Sequence, residues 1–146
     1  MPLVTSFKGD YLKNKLQKGS LEIKSKNDLG KLETAKGEKI ETLKLFFFNE
    51  HIGDVDIKGI AKRIRGLSLV ERIIADFGNY PRITDIGFSH FIDSVSDFPI
   101  KSLTISLGTS EVCASTNITD DIIKRTCRML RKSQNSVREI EINLKK

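Results

Sequence analysis

A chain of 146 residues has the size of one domain, enough to enclose a core, and 38% hydrophobic with 30% charged residues suits folding in water. No run approaches the roughly 18–20 apolar residues of a membrane-spanning helix. The N-terminal segment lacks the apolar stretch of a secretory signal, and two cysteines without Cys-x-x-Cys spacing argue against a disulfide scaffold or a metal site. A cytoplasmic address is expected, with the nucleus as the alternative. The net charge of +6 divides into +4 over residues 1–44, −4 over 45–123 and +6 over 124–146. That asymmetry suggests that one end meets an acidic surface or nucleic acid.

In chain order, residues 10–18 read as a short helix ending at Gly19, and Leu21 and Ile23 show strand alternation. Residues 29–34 read as a second short helix before Gly37. Leu21 and Ile23 echo Leu43 and Leu45 at a separation of 22 residues. Residues 1–39 are therefore expected to form an irregular N-terminal cap or a degenerate repeat, ahead of a regular array over 40–146.

From residue 40 one pattern recurs. Ile40, Leu43 and Leu45 lead into Ile52-Gly53-Asp54 and then Ile57, Ile60, Ala61 and Ile64. Val70, Ile73 and Ala75 lead into Ile83-Thr84-Asp85 and then Phe88, Phe91, Ile92 and Val95. Ile100, Leu103 and Ile105 lead into Ile118-Thr119-Asp120 and then Ile123, Thr126, Cys127 and Leu130, after about five extra loop residues within 108–116. A fourth copy opens at Val137, Ile140 and Ile142. The first part of each unit has the two-residue period of a strand, and the last part has helical spacings of three and four. Strands are predicted near 41–46, 71–76, 101–106 and 138–143, and helices near 55–65, 86–95 and 120–132. Self-similarity at about 30 residues means a stacked array of units that are stable only against their neighbours. Strands about 4.8 Å apart and helices about 10 Å apart cannot stack flat, so the strands should line a concave side.

These residues resemble the leucine-rich repeats, in particular the ribonuclease-inhibitor-like and cysteine-containing subtypes. Leu43/Leu45 with Ile52-Gly53-Asp54, Ile73/Ala75 with Ile83-Thr84-Asp85, and Leu103/Ile105 with Ile118-Thr119-Asp120 carry the likeness, which covers residues 40–144. It implies an α/β solenoid of three to four repeats, with short parallel strands inside and helices outside. Ala75, in place of a large core residue, departs from the pattern. The resemblance also implies that the concave strand face binds a partner.

The search for chemistry returns little. His51 and His90 fall in different parts of their units and read as solvated surface residues, and no phosphate loop or nucleophile elbow is present. Asp54, Asp85 and Thr119 or Asp120 stand just before the helical stripes, where a short oxygen-bearing side chain caps a helix, and capping is the reading of the repeated aspartates 54, 85 and 120. Cys113 reads as a loop residue and Cys127 as a small core residue. The segment Leu45, Phe46, Phe47 and Phe48 reads as core plus one concave anchor. No catalytic residue and no cofactor is assigned. The expected concave row comprises Thr42, Lys44 and Phe46; Arg72, Ile74 and Asp76; Ser102, Thr104 and Ser106; and Glu139, Glu141 and Asn143. Phe46 and Ile74 beside Lys44 and Arg72 make the apolar and cationic mixture of a protein contact. Lys124, Arg128, Arg131 and Lys132 form a basic stripe on the last helix, a second-ranked surface for nucleic acid. The expected activity is non-enzymatic binding of a protein partner, with neither a membrane nor a small-molecule substrate involved.

Overall fold

The computed structural model describes residues 19–47, 51–77, 82–107, 118–133 and 137–144. Five strands, β1 (Ser20–Ile23), β2 (Thr42–Phe46), β3 (Arg72–Asp76), β4 (Ser102–Leu107) and β5 (Glu139–Leu144), form one sheet in chain order. Every neighbouring pair is parallel. Between strands lie a 3₁₀ turn (Lys26–Leu29) with α1 (Gly30–Thr34), then α2 (Asp54–Ile64), α3 (Asp85–Val95) and α4 (Asp120–Ser133). The four strands and three helices predicted for the array fall within a residue or so of these bounds. The predicted helix at 10–18 lies outside the described residues.

The register shows why the pattern repeats. Leu21, Leu43, Ile73, Leu103 and Ile140 stand side by side across the sheet, and so do Ile23, Leu45, Ala75, Ile105 and Ile142. At each strand entrance one carbonyl accepts two amides. Thr42 and its predecessor donate to Gly19, Arg72 and its predecessor to Glu41, Ser102 and its predecessor to Glu71, and Glu139 and its predecessor to Lys101. Connections of one hand between adjacent parallel strands place every helix on the same face. Burial agrees, since Leu43, Leu45, Ile73, Ala75, Leu103 and Ile105 are at most 1% exposed while the residues between them are not buried.

The helical stripes close the core from above. Ile57, Ile60, Ala61 and Ile64 of α2 are buried, as are Phe88, Phe91, Ile92 and Val95 of α3. The unit with Ala75 in its strand is the one whose helix carries two buried phenylalanines, Phe88 and Phe91. Just past β2 and β3, the rings of Phe47 and Phe77 stack at 6.3 Å, and Phe77 meets Phe91 edge-on at 5.4 Å. Phe47 is fully buried, as the core reading of 45–48 expects; Phe48 lies outside the described residues.

Two expectations need correction. Asp54 and Asp85 do not cap their own helices. They are the first helical residues, and their carboxylates reach into the following unit. Asp54 accepts from the Thr84 amide at 2.8 Å and from the Thr84 hydroxyl; Asp85 accepts from the Thr119 amide at 2.9 Å and the Thr119 hydroxyl at 2.8 Å. The capping belongs to the threonines, whose hydroxyls accept from Ile86 and Ile122 amides at 3.3 and 3.4 Å. At α2 the preceding residue is Gly53, whose own amide donates to Asp56 at 2.9 Å. Cys127 is half-buried rather than a core residue. Among the described side chains of α4, only Thr126 and Leu130 are buried deeply, because no further helix lies beyond α4 among the described residues. Cys113 lies outside them.

Candidate functional site

The face of the sheet away from the helices carries no covering element among the described residues. Its side chains lie in three cross-strand rows. Thr42, Arg72, Ser102 and Glu139 form one; Lys44, Ile74, Thr104 and Glu141 the next; Phe46, Asp76, Ser106 and Asn143 the third. The predicted binding row is thus brought onto one surface, in register, across four strands. At about 4.8 Å per strand, that surface extends ~14 Å from β2 to β5. Strand β1 adds Ser20 beside Thr42 and Glu22 beside Lys44, two residues that the reading of the array did not include.

The chemistry of this surface is graded. Arg72, Glu139, Glu141 and Asn143 are exposed, whereas Thr42, Lys44, Phe46, Ile74, Asp76, Ser102, Thr104 and Ser106 are half-buried. Lys44 and Ile74 are direct neighbours, so the lysine stem extends the apolar patch while its ammonium stays wet. Positive charge occupies the first two rows of the middle strands, at Lys44 and Arg72, with the Asp76 carboxylate beside Phe46 in the third row. Further negative charge lies on the flanking strands, at Glu22 on β1 and at Glu139 and Glu141 on β5. The Asn143 amide donates to Glu141 at 2.9 Å and holds that carboxylate in place. Strand β4 offers only hydroxyls, which leaves a shallow polar strip between the cationic and acidic zones.

Among the described residues four exposed apolar side chains outside this row, Val55, Leu69, Ile86 and Met129, were not singled out by sequence, and two of them occupy equivalent places in successive units. Val55 is 86% exposed and Ile86 is 67% exposed, each directly after the recurring aspartate of its unit, Asp54 or Asp85. They stand in the first turns of α2 and α3, the edge onto which the strand C-termini also lead. The signal that could have found them is their place outside the helical stripe.

The basic stripe is a separate surface. Lys124, Arg128 and Arg131 are exposed on α4, on the helical layer rather than the strand face; the Lys132 side chain lies outside the described residues. Arg128 and the unpredicted Arg125 line a cleft of about 710 Å³ between α3 and α4, with Ile92, Ile122 and Met129 supplying its apolar part. His51 is exposed and His90 half-buried. Among the described residues no group of three or more His, Cys, Asp or Glu side chains is placed to hold a metal ion. No described helix is long and apolar enough to cross a membrane.

Fold and surface together define the class: an α/β protein of repeated strand–helix units on one all-parallel sheet, with one sheet face left uncovered by the described residues. No family model matches the chain, and no curated protein matches it in sequence.

Proposed function

We propose that this chain is a small leucine-rich-repeat protein, a non-enzymatic module or scaffold subunit that binds a protein partner on its open strand face. The observation that carries the reading is the in-register surface itself, where Phe46 and Ile74 sit among Lys44, Arg72 and a flanking set of carboxylates. A parallel sheet backed by helices offers this surface pre-ordered, so little conformational entropy is lost when a partner docks. The partner that fits has an apolar anchor for Phe46 and Ile74, acidic groups for Lys44 and Arg72, and basic groups toward Glu139 and Glu141. The proposed setting is the cytoplasm or nucleus, where the unpaired Cys127 stays reduced.

Affinity capture from native extract tests it. The wild-type chain should retain one stoichiometric protein that Phe46→Ala with Arg72→Glu no longer retains. Retention by that double variant, or catalytic turnover by the isolated chain, would sink the reading. A second reading, nucleic-acid binding, draws on the exposure of Lys124, Arg128 and Arg131 together with Arg125. Under it, Ser at Lys124, Arg128, Arg131 and Lys132 abolishes RNA or DNA binding that otherwise falls steeply between about 50 and 200 mM salt.

A further inference from the structure

A second cleft, of about 700 Å³, opens between α1 and α2 on the side of the helix C-termini, away from Val55 and Ile86. Leu32 and Glu33 of α1 line it, with Lys36 just beyond, and so do Lys62, Arg63 and Arg65 at the end of α2. Four cations and one carboxylate therefore share one concavity. Arg63 is the internal member: its Nη1 donates to the Gly59 carbonyl at 3.2 Å, and its Nε lies 3.4 Å from Glu33 Oε1. That approach is close enough for an ion pair but too poorly aligned for a hydrogen bond, and the buried Nε makes none. Lys36, Lys62 and Arg65 form no ion pair with any described residue.

Helix-end electrostatics explains part of this arrangement. Lys62, Arg63 and Arg65 stand where the negative end of α2 favours cations. Lys36 likewise stands just past the short α1, but helix-end electrostatics does not require its stem to cross to the end of α2. The Lys36 methylenes lie across Gly66, so closely that a Cβ there would be 2.8 Å from its Cε. A glycine makes room for that stem, and the stem carries a fourth like charge to a site whose sole acid already faces Arg63. Gathering like charges is unfavourable until a counter-charge arrives.

We propose that this cleft binds a compact polyphosphorylated anion, with Lys36, Lys62 and Arg65 as its phosphate ligands. The size lies within the range of small-molecule sites. Flexible ammonium groups on two elements suit several phosphates on one scaffold better than they suit a single planar carboxylate. The site is independent of the strand face and of the basic stripe on α4.

Calorimetric titration of the full chain with inorganic tripolyphosphate, and separately with inositol hexakisphosphate, tests the assignment. A saturable one-to-one isotherm is expected, weakening roughly tenfold or more between about 50 and 200 mM salt. Lys36→Gln with Arg65→Gln should remove it, while Ser at Lys124, Arg128 and Arg131 should leave it intact. Without ligand, Lys36→Gln should leave the melting temperature unchanged or raise it, because it relieves repulsion; a purely structural lysine would lower it. Vesicles containing phosphatidylinositol bisphosphate distinguish the sources of the anion. Binding to both free and vesicle ligand through the same residues assigns a lipid headgroup, and binding to the free ligand alone assigns a soluble one. Absence of binding to both phosphate probes, binding that survives Lys36→Gln with Arg65→Gln, or a loss that follows the α4 substitutions instead overturns the proposal.

Discussion

Asp54 joins two units through one carboxylate, and its neighbour Gly87 makes that possible. A Cβ at residue 87 would fall 2.2 Å from Asp54 Oδ1 and 3.1 Å from Asp54 Cα, so a larger residue in α3 would displace the carboxylate from Thr84. Asp54→Ala removes both bonds and leaves the half-buried Thr84 amide unpaired, which should cost about 1–3 kcal/mol in urea unfolding. Gly87→Ala should cost a similar amount alone and clearly less in the Asp54→Ala background, since part of the clash is then gone. Additive losses from the two substitutions would mean that the glycine serves some other contact. The Asp85–Thr119 pair is exposed, so Asp85→Ala should cost about 1 kcal/mol or less. The three Ile-x-Asp triplets are visible in the sequence. Their partners are not, because a carboxylate's bond to a residue 30 positions away depends on how units stack.

Among the elements, α4 is the outlier. Helix α2 packs along α3 more closely than α3 packs along α4. Among the described side chains of α4, only Thr126 and Leu130 anchor it deeply, while Ile122, Ile123 and Cys127 remain half-buried. Local stability follows buried contact. Native-state hydrogen exchange should therefore find α4 amides opening well before those of α2 and α3. Equal protection across the three helices would show that the cleft beside Arg125 and Arg128 is closed in solution. Leu130→Ala should cost about 2–4 kcal/mol and accelerate exchange in α4 ahead of the rest. Sequence marks α4 as amphipathic from the spacing of Ile123, Thr126, Cys127 and Leu130. How deep each of them sits depends on what lies on the far side of the helix, which periodicity does not encode.

Across the whole molecule, stability is unequal from one side of the sheet to the other. Leu45 and Ile142 occupy the same core row, yet Leu45 is fully buried and Ile142 is half-buried on β5, which borders no further strand among the described residues. Leu45→Ala should lower the folding free energy by about 2–5 kcal/mol, and Ile142→Ala by well under half as much. Comparable losses in chemical denaturation would mean that β5 is covered in solution. In a stacked array each unit contacts only its neighbours, so substitutions in β2, β3 and the helices over them should move the global transition. Those in β5 should mainly affect a local one.

The sequence by itself determined the order, length and type of the repeating elements, because strand and helix periods are local and the core stripe recurs unit after unit. It also determined which side chains share the open face, since alternation along parallel strands of fixed register admits one answer. The tertiary structure alone decided that Asp54 and Asp85 bond forward into the next unit, that Phe47 and Phe77 stack, and that the Lys36 stem lies across Gly66 in a cleft that Lys62 and Arg65 also line. Each of these joins residues from separate units or elements. Their geometry is set by the spacing between neighbouring helices, a property of the packed stack that no single unit contains.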